Sequence, residues 1–119
     1  MVFIGGINIH TIRIIDMHKD SKIIANADEI VVRVDRETIL GNPYHMRVPI
    51  DIERNRVCDL YEKYFYEQME KNYRFRSEIL RICRLLKDHN VALACWCCPK
   101  RCHAETIVNY IKKHEGVLI

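Results

Sequence analysis

The order of patterns along the chain constrains its fold most: a β-branched run at Ile30 to Val34, a long stretch of helical spacing, then a short apolar run at Val91 to Trp96. Between Pro49 and Tyr73 the residues Val57, Leu60, Tyr61, Tyr64, Phe65 and Met69 recur as on one helix face, with Asp51 suited to cap it and Glu53 in its first turn. A second helix is expected to start near Ser77, to carry Ile79, Ile82, Cys83 and Leu86 on one side, and to end at His89-Asn90. Helices set between two strands demand a crossover, and a crossover returns the late strand parallel to the early one. Val2 to Ile15, rich in Ile and broken by Gly5-Gly6, reads as one or two further strands, and Met17 to Glu29 as loop. After Pro99, Ala104, Ile107, Val108 and Ile111 predict a last helix stopping near Gly116. The expected architecture is one α/β domain over residues 1–119, a small Rossmann-like unit with a mostly parallel sheet flanked by helices.

A chain of 119 residues, 49% of them hydrophobic, can bury a core without disulfide or metal staples. No apolar run reaches the length of a membrane span, and the opening MVFIGGINIH lacks the basic start of a secretory signal, so a cytoplasmic location and no membrane partner are expected. The six cysteines divide into two groups. Cys58 and Cys83 lie in helical patterns and read as buried small hydrophobes, whereas Cys95, Cys97, Cys98 and Cys102 crowd one segment. Such a cluster in a cytosolic chain points to ligand binding or reactivity before a disulfide framework. The net charge of +3 permits a nucleic-acid partner without indicating one. Nine Lys and Arg against five Asp and Glu between Arg54 and Lys87 read as a solvated helix surface, open to a polyanion.

The strand-turn-helix at Cys95 to His103 concentrates the chemistry. In open α/β sheets ligands bind beyond the carboxyl ends of the strands, and a helix starting there presents unpaired N–H groups to an anion. Lys100, Arg101, Cys102 and His103 sit at that junction, and Trp96 precedes it. Three readings follow. In the first, the junction binds a small anion. In the second, Cys95 and Cys97 on one strand face, with Cys102 and His103, supply four ligands of the kinds zinc prefers, although this spacing is not that of a standard finger. In the third, Cys102 at a helix start beside Lys100 and Arg101 is a nucleophile, with His103 or Glu105 as acid or base. The alternative to all three is that Cys95 and Cys97 simply pack in the core. His45 is the one other histidine of interest, because it follows the turn Gly41-Asn42-Pro43-Tyr44 at a strand end.

In these two segments the sequence resembles the family known as domain of unknown function 4326, small proteins of bacteria and their phages. The shared motifs are a GNP-aromatic turn, here Gly41, Asn42, Pro43 and Tyr44, and a C-W-C-x-P-x-x-C-H block followed by an acidic residue, here Cys95, Trp96, Cys97, Pro99, Cys102, His103 and Glu105. The likeness runs from about Thr11 to Lys113. It departs at Leu40, where the family commonly has tryptophan, and at Ala104, where it commonly has glycine. The family pattern is similar in outline to small Rossmann-like proteins that bind nucleotides or cleave nucleoside N-glycosidic bonds. By that likeness Asn42 and the backbone around Gly41 are expected to hold a sugar or phosphate, the Cys102 helix start an anion, and Glu105 to be a carboxylate near the sugar; Gly41, Asn42, Pro43, Tyr44, Trp96, Lys100 and Arg101 are the expected ligand-binding residues.

The expected function is binding of a nucleotide or nucleoside phosphate, either by an enzyme acting on that ligand or by a protein that sequesters or senses it. Two other classes stay open: a zinc-stabilised protein-interaction module, and an accessory protein that uses its basic helices on nucleic acid. No cofactor is required by the pattern, zinc being the one candidate.

Overall fold

The structure is a computed structural model that describes residues 10–17, 29–96 and 100–114. Its elements in chain order are β1 (Ile12–Asp16), β2 (Glu29–Arg33), α1 (Asp51–Lys71), α2 (Tyr73–Leu85), β3 (Asn90–Cys95) and α3 (Ala104–Lys113). The strands form one parallel sheet in the order β1-β3-β2. The late apolar run is therefore the central strand, which explains why Val91, Ala92, Leu93, Ala94 and Cys95 are all buried: both of its faces are covered. Ile12 pairs with Val91 on one side and Ile30 with Val91 on the other. The crossover predicted between the early and late strands is made by α1 and α2.

One face of the sheet carries the main core. Ile12, Val32, Val34, Val91, Leu93 and Cys95 meet Tyr61 and Phe65 of α1, Phe75, Ile79 and Ile82 of α2, and Ile107, Val108 and Ile111 of α3. Residues two apart on a strand share a face, so Ala92 and Ala94 fall on the other side, where they cluster with Ile15 and Met17. The fully buried rings of Tyr61, Phe65 and Phe75 each contribute about 1.5–3 kcal/mol by leaving water. Cys83 is in this core, as its pattern indicates.

The helix boundaries differ from the periodicity in two places. α1 and α2 are separated only by Asn72, whose side-chain oxygen accepts the N–H groups of Arg74 (3.1 Å) and Phe75 (3.3 Å) and so starts α2 four residues before Ser77. A helix cap of this strength overrides the lack of an apolar stripe in that first turn. α2 also ends at Leu85, not at His89-Asn90; Asn90 instead opens β3 and accepts the Thr11 N–H at 2.8 Å, closing the start of the sheet. Asp51 is the first residue of α1 rather than its cap, and the position before it, Ile50, makes no side-chain cap bond. The part of the Val2 to Ile15 expectation before His10, and most of the expected loop after Met17, lie outside the described residues.

Between β2 and α1 the chain folds back tightly. Thr38 donates its N–H (2.9 Å) and its hydroxyl (2.8 Å) to the Asp35 carbonyl, and Gly41 donates its N–H to the Thr38 carbonyl (3.0 Å). A Cβ on Gly41 would overlap the backbone at Asp35 and Arg36, only 2.6 Å from the Arg36 Cα. Glycine is needed there for close backbone approach. Gly41→Ala is expected to lower unfolding free energy by about 1–3 kcal/mol through this overlap. Urea titration followed by circular dichroism checks this, and a variant as stable as the parent contradicts the packed turn.

Candidate functional site

The parallel sheet brings three strand ends to one edge. Asp16 ends β1 beside Cys95 of β3, and past β2 the Val34 N–H donates to the Ala94 carbonyl at 3.0 Å, which carries the chain on to Asp35. Beyond this edge lies a small open cleft of about 60 Å³, lined by residues of four segments. Asp35, Arg36 and Asn42 come from the loop after β2; Arg54, Val57 and Cys58 from α1; Trp96 from the end of β3; and Arg101, Cys102 and His103 from the start of α3. Met46 completes the lining. The two segments singled out in the sequence thus meet on one cavity.

Just ahead of α3, whose cap position His103 makes no side-chain cap bond, Cys102 and Glu105 form a turn that resembles a capping box with a thiol in place of the usual hydroxyl. Cys102 Sγ accepts the Ala104 N–H at 3.4 Å, and three residues on from the thiol Glu105 turns its carboxylate back to accept the Cys102 N–H at 3.2 Å. Next to this turn, the His103 ring is buried against Tyr61, edge to face with centroids 4.9 Å apart. Its Nε2 lies 2.6 Å from the Val34 carbonyl, which can only accept, so Nε2 carries the hydrogen. Nδ1 is then the lone-pair nitrogen, 3.6 Å from Cys102 Sγ. Tyr61 in turn donates its hydroxyl to the Leu40 carbonyl at 2.7 Å, tying α1 to the residue before the GNPY turn. Burial pushes the Tyr61 phenol far above its ordinary value, so it stays protonated and keeps the O–H that it donates to Leu40.

Three arginines face the cleft, each held differently. Arg36 donates to the Asn42 carbonyl at 2.5 Å. Arg101 reaches α1, where it contacts Asn55 at 3.2 Å and Asp59 at 2.8 Å, and the largest cause of its raised pKa is that bond to Asp59. Arg54 differs from both: its Nε is buried and has no hydrogen-bond partner among the described residues. Leaving a buried donor unsatisfied costs about 1–3 kcal/mol, more for a charged group. Against these cations stands Asp35, whose carboxylate takes two bonds from Arg33 (3.0 and 2.5 Å) and one from the Trp96 indole N–H at 3.4 Å. The Arg33 bonds are the main reason that its pKa lies below the usual carboxylate range, with the Trp96 bond adding to the effect against the opposing cost of burial. Behind the cleft Glu53 is gripped by Arg47 (2.8 Å) and Arg56 (2.9 Å), which hold its carboxyl far below the ordinary range and fix the first turn of α1.

The residues expected from the sequence divide accordingly. Asn42, Trp96, Arg101, Cys102 and His103 line the cleft, and Gly41, Pro43, Tyr44, Lys100 and Glu105 do not. Asn42 is largely occupied in holding the loop: its amide donates to the Val57 carbonyl at 3.0 Å and its oxygen accepts the Tyr44 N–H at 2.9 Å. Tyr44 meets Tyr64 edge to face, and His45 is exposed outside the cleft. Of the four expected metal ligands, Cys95, Cys102 and His103 come together, and Cys97 lies outside the described residues together with Cys98 and Pro99. Among the described residues no group of three or more His, Cys, Asp or Glu side chains is arranged to hold a metal ion.

Asp35, Arg36, Arg54 and Cys58 escape a reading by motif. Two signals point to them nonetheless. Asp35-Arg36 sits just past a strand of a parallel sheet, at the edge where ligands bind. Arg54 shares the i, i+3, i+4 face of Val57 and Cys58, so a cation stands on an otherwise inward-facing stripe.

Burial holds the His103 imidazole below the ordinary histidine value of 6.5, with Arg36 adding to the effect and the Val34 bond and Asp35 opposing it. The folded chain therefore binds this proton less readily than the unfolded chain. Its neutral ring contributes fully above pH 6.5, and the contribution is lost as pH falls from there toward the depressed folded value. His103→Gln keeps a donor for Val34 and cannot titrate. The parent chain is expected to lose stability between pH 7 and pH 5 with a slope of up to about 1.4 kcal/mol per pH unit more than the variant, measured by denaturant titration at each pH. Equal slopes for the two chains contradict the buried neutral ring.

No curated protein and no solved structure matches the chain. A family model described as Domain of unknown function (DUF4326) matches residues 15–113, from the end of β1 to the end of α3, and so takes in every segment that lines the cleft. By that match the chain belongs to the DUF4326 family.

Proposed function

We propose that this protein binds a nucleotide or nucleoside phosphate in the cleft at the carboxyl edge of the sheet. The observation that carries the reading is Arg54, whose buried Nε lacks a partner in a cavity wall that also presents Arg36 and Arg101. A phosphate oxygen satisfies such a donor with a charge-assisted bond, and the planar guanidinium suits a bidentate contact. Arg101 is available to the same anion, because its link to Asp59 is an exposed pair of little net worth that can be traded for a stronger one. The N-terminal end of α3 adds the positive end of its dipole.

The base and sugar have their own counterparts. Trp96 is 46% exposed at the cleft mouth and its indole N–H is held by Asp35, so a ring face is offered in a fixed orientation for a base to stack on. For the sugar the acceptor in the cleft lining is Asp35, whose buried carboxylate already bonds Arg33 and Trp96 and would share a remaining lone pair. If the ligand is also transformed, the groups at hand are the Cys102 thiol and the lone-pair nitrogen of His103; Glu105 serves the turn ahead of α3. The same reading covers sequestration or sensing, which need only the binding.

Isothermal titration of a panel of nucleoside mono- and diphosphates, ADP-ribose and inorganic phosphate tests the proposal. Saturable binding is expected for at least one nucleotide, weakened by about tenfold or more in Arg54→Met, which corresponds to losing about 1.4 kcal/mol. Arg54→Lys is expected to fall between the two, because it keeps the charge and loses the fork. No saturable binding across the panel, or equal affinity in Arg54→Met, overturns it.

A further inference from the structure

Behind the cleft wall, Cys102 Sγ lies 2.9 Å from Cys95 Sγ, closer than the roughly 3.5–4.0 Å at which non-bonded heavy atoms rest. The two thiols join different elements, since Cys95 is the last residue of β3 and Cys102 lies just ahead of α3. Both are buried, at 0% and 2% exposure, but their surroundings are unequal: Cys102 lines the cleft and Cys95 does not. Cys102 is therefore the sulfur on the cleft side of the pair, and Cys95 the one on the protein side. The Ala104 N–H donates to Cys102 Sγ at 3.4 Å. Cys58 also borders the cleft; Cys95 Sγ is the sulfur recorded in contact with Cys102 Sγ among the described residues.

We propose that Cys95 and Cys102 are a redox-modification site that forms a reversible disulfide on reaction with a low-molecular-weight disulfide. The Cys102 thiolate attacks one sulfur of the small disulfide, forming a mixed disulfide and expelling the first small thiolate. The Cys95 thiolate then attacks the Cys102 sulfur, the mixed bond breaks, and the second small thiolate leaves. Two electrons pass from the two protein thiols to the small disulfide, which is reduced to two thiols that carry away both protons. The link ties the end of β3 to the start of α3 and pulls the Cys102 sulfur back from the cleft. Its formation requires no ligand in that cleft, so it stands or falls independently of nucleotide binding.

Incubating the reduced, untagged, folded chain with oxidised glutathione tests this, with intact-mass spectrometry and peptide mapping as the readout. The expected product has lost two hydrogens and carries a Cys95–Cys102 link, in the parent and in a Cys97→Ser, Cys98→Ser variant alike. Cys95→Ser is expected to stop at the glutathione adduct on Cys102. Should that variant not fold, the link mapped in the other two chains decides. Thiols that survive in the folded chain while the guanidinium-unfolded chain reacts overturn the proposal, as does a link from Cys102 to Cys58, Cys97 or Cys98. Stoichiometric zinc that protects both sulfurs overturns it as well.

Discussion

The arrangement at the sheet edge depends on one buried hydrogen bond, from His103 Nε2 to the Val34 carbonyl at 2.6 Å. It joins the start of α3 to the chain leaving β2, and its ring packs on Tyr61 of α1, so three elements that are distant in sequence are fixed at one point. Tyr61 passes the constraint on through its bond to Leu40, which sets the GNPY turn, and Asn42 closes the circuit by donating to the Val57 carbonyl of α1. Every polar member of this ring is satisfied within the protein. A satisfied network in a low-dielectric setting is rigid, whereas one missing partner makes it costly.

Rigidity of that kind supports a feature that would otherwise be a liability. A cleft walled by Arg36, Arg54 and Arg101 concentrates positive charge, and Arg54 Nε is buried without a protein partner among the described residues. The protein balances the neighbouring charges with care: Asp35 is held by Arg33 and Trp96, and Glu53 by Arg47 and Arg56. Arg54 stands apart from this pairing. Cost retained at one site in an otherwise satisfied polar lattice is the usual mark of function. The main core, centred on Phe65, Phe75 and Leu93, lies on the sheet face and does not depend on the cleft being filled.

Much of the fold was legible because it rests on periodicity. The apolar spacing of Val57, Tyr61, Phe65 and Met69 and the run from Val91 follow from burial alone, and the parallel sheet follows from their order. The start of α2 was not, since Asn72 makes the boundary through a side-chain cap rather than an apolar stripe. Of the cleft lining, Trp96, Arg101, Cys102 and His103 are legible from a strand-turn-helix argument that needs only local order. Asp35, Arg36 and Arg54 required knowing which strand ends and which helix face converge, and that is long-range information. Glu105 shows the opposite difficulty: its spacing from Cys102 fits a capping box, but a carboxylate beside a thiol and a histidine invites a chemical role.

The central claim is that the cleft formed by Arg54, Trp96 and the α3 start receives the phosphate-bearing ligand. A nitrogen-15 heteronuclear NMR titration with a nucleoside diphosphate tests it most directly, because indole and guanidinium N–H signals report on the groups themselves. Saturable shifts of the Trp96 Nε1 and Arg54 Nε resonances, with the backbone amides of residues 101–105 moving alongside, are the predicted result. Shifts spread over the basic surface of α2 and just past its end, at Arg74, Arg81 and Lys87, with Trp96 and Arg54 unmoved, would contradict the account and place the anion on the helix surface.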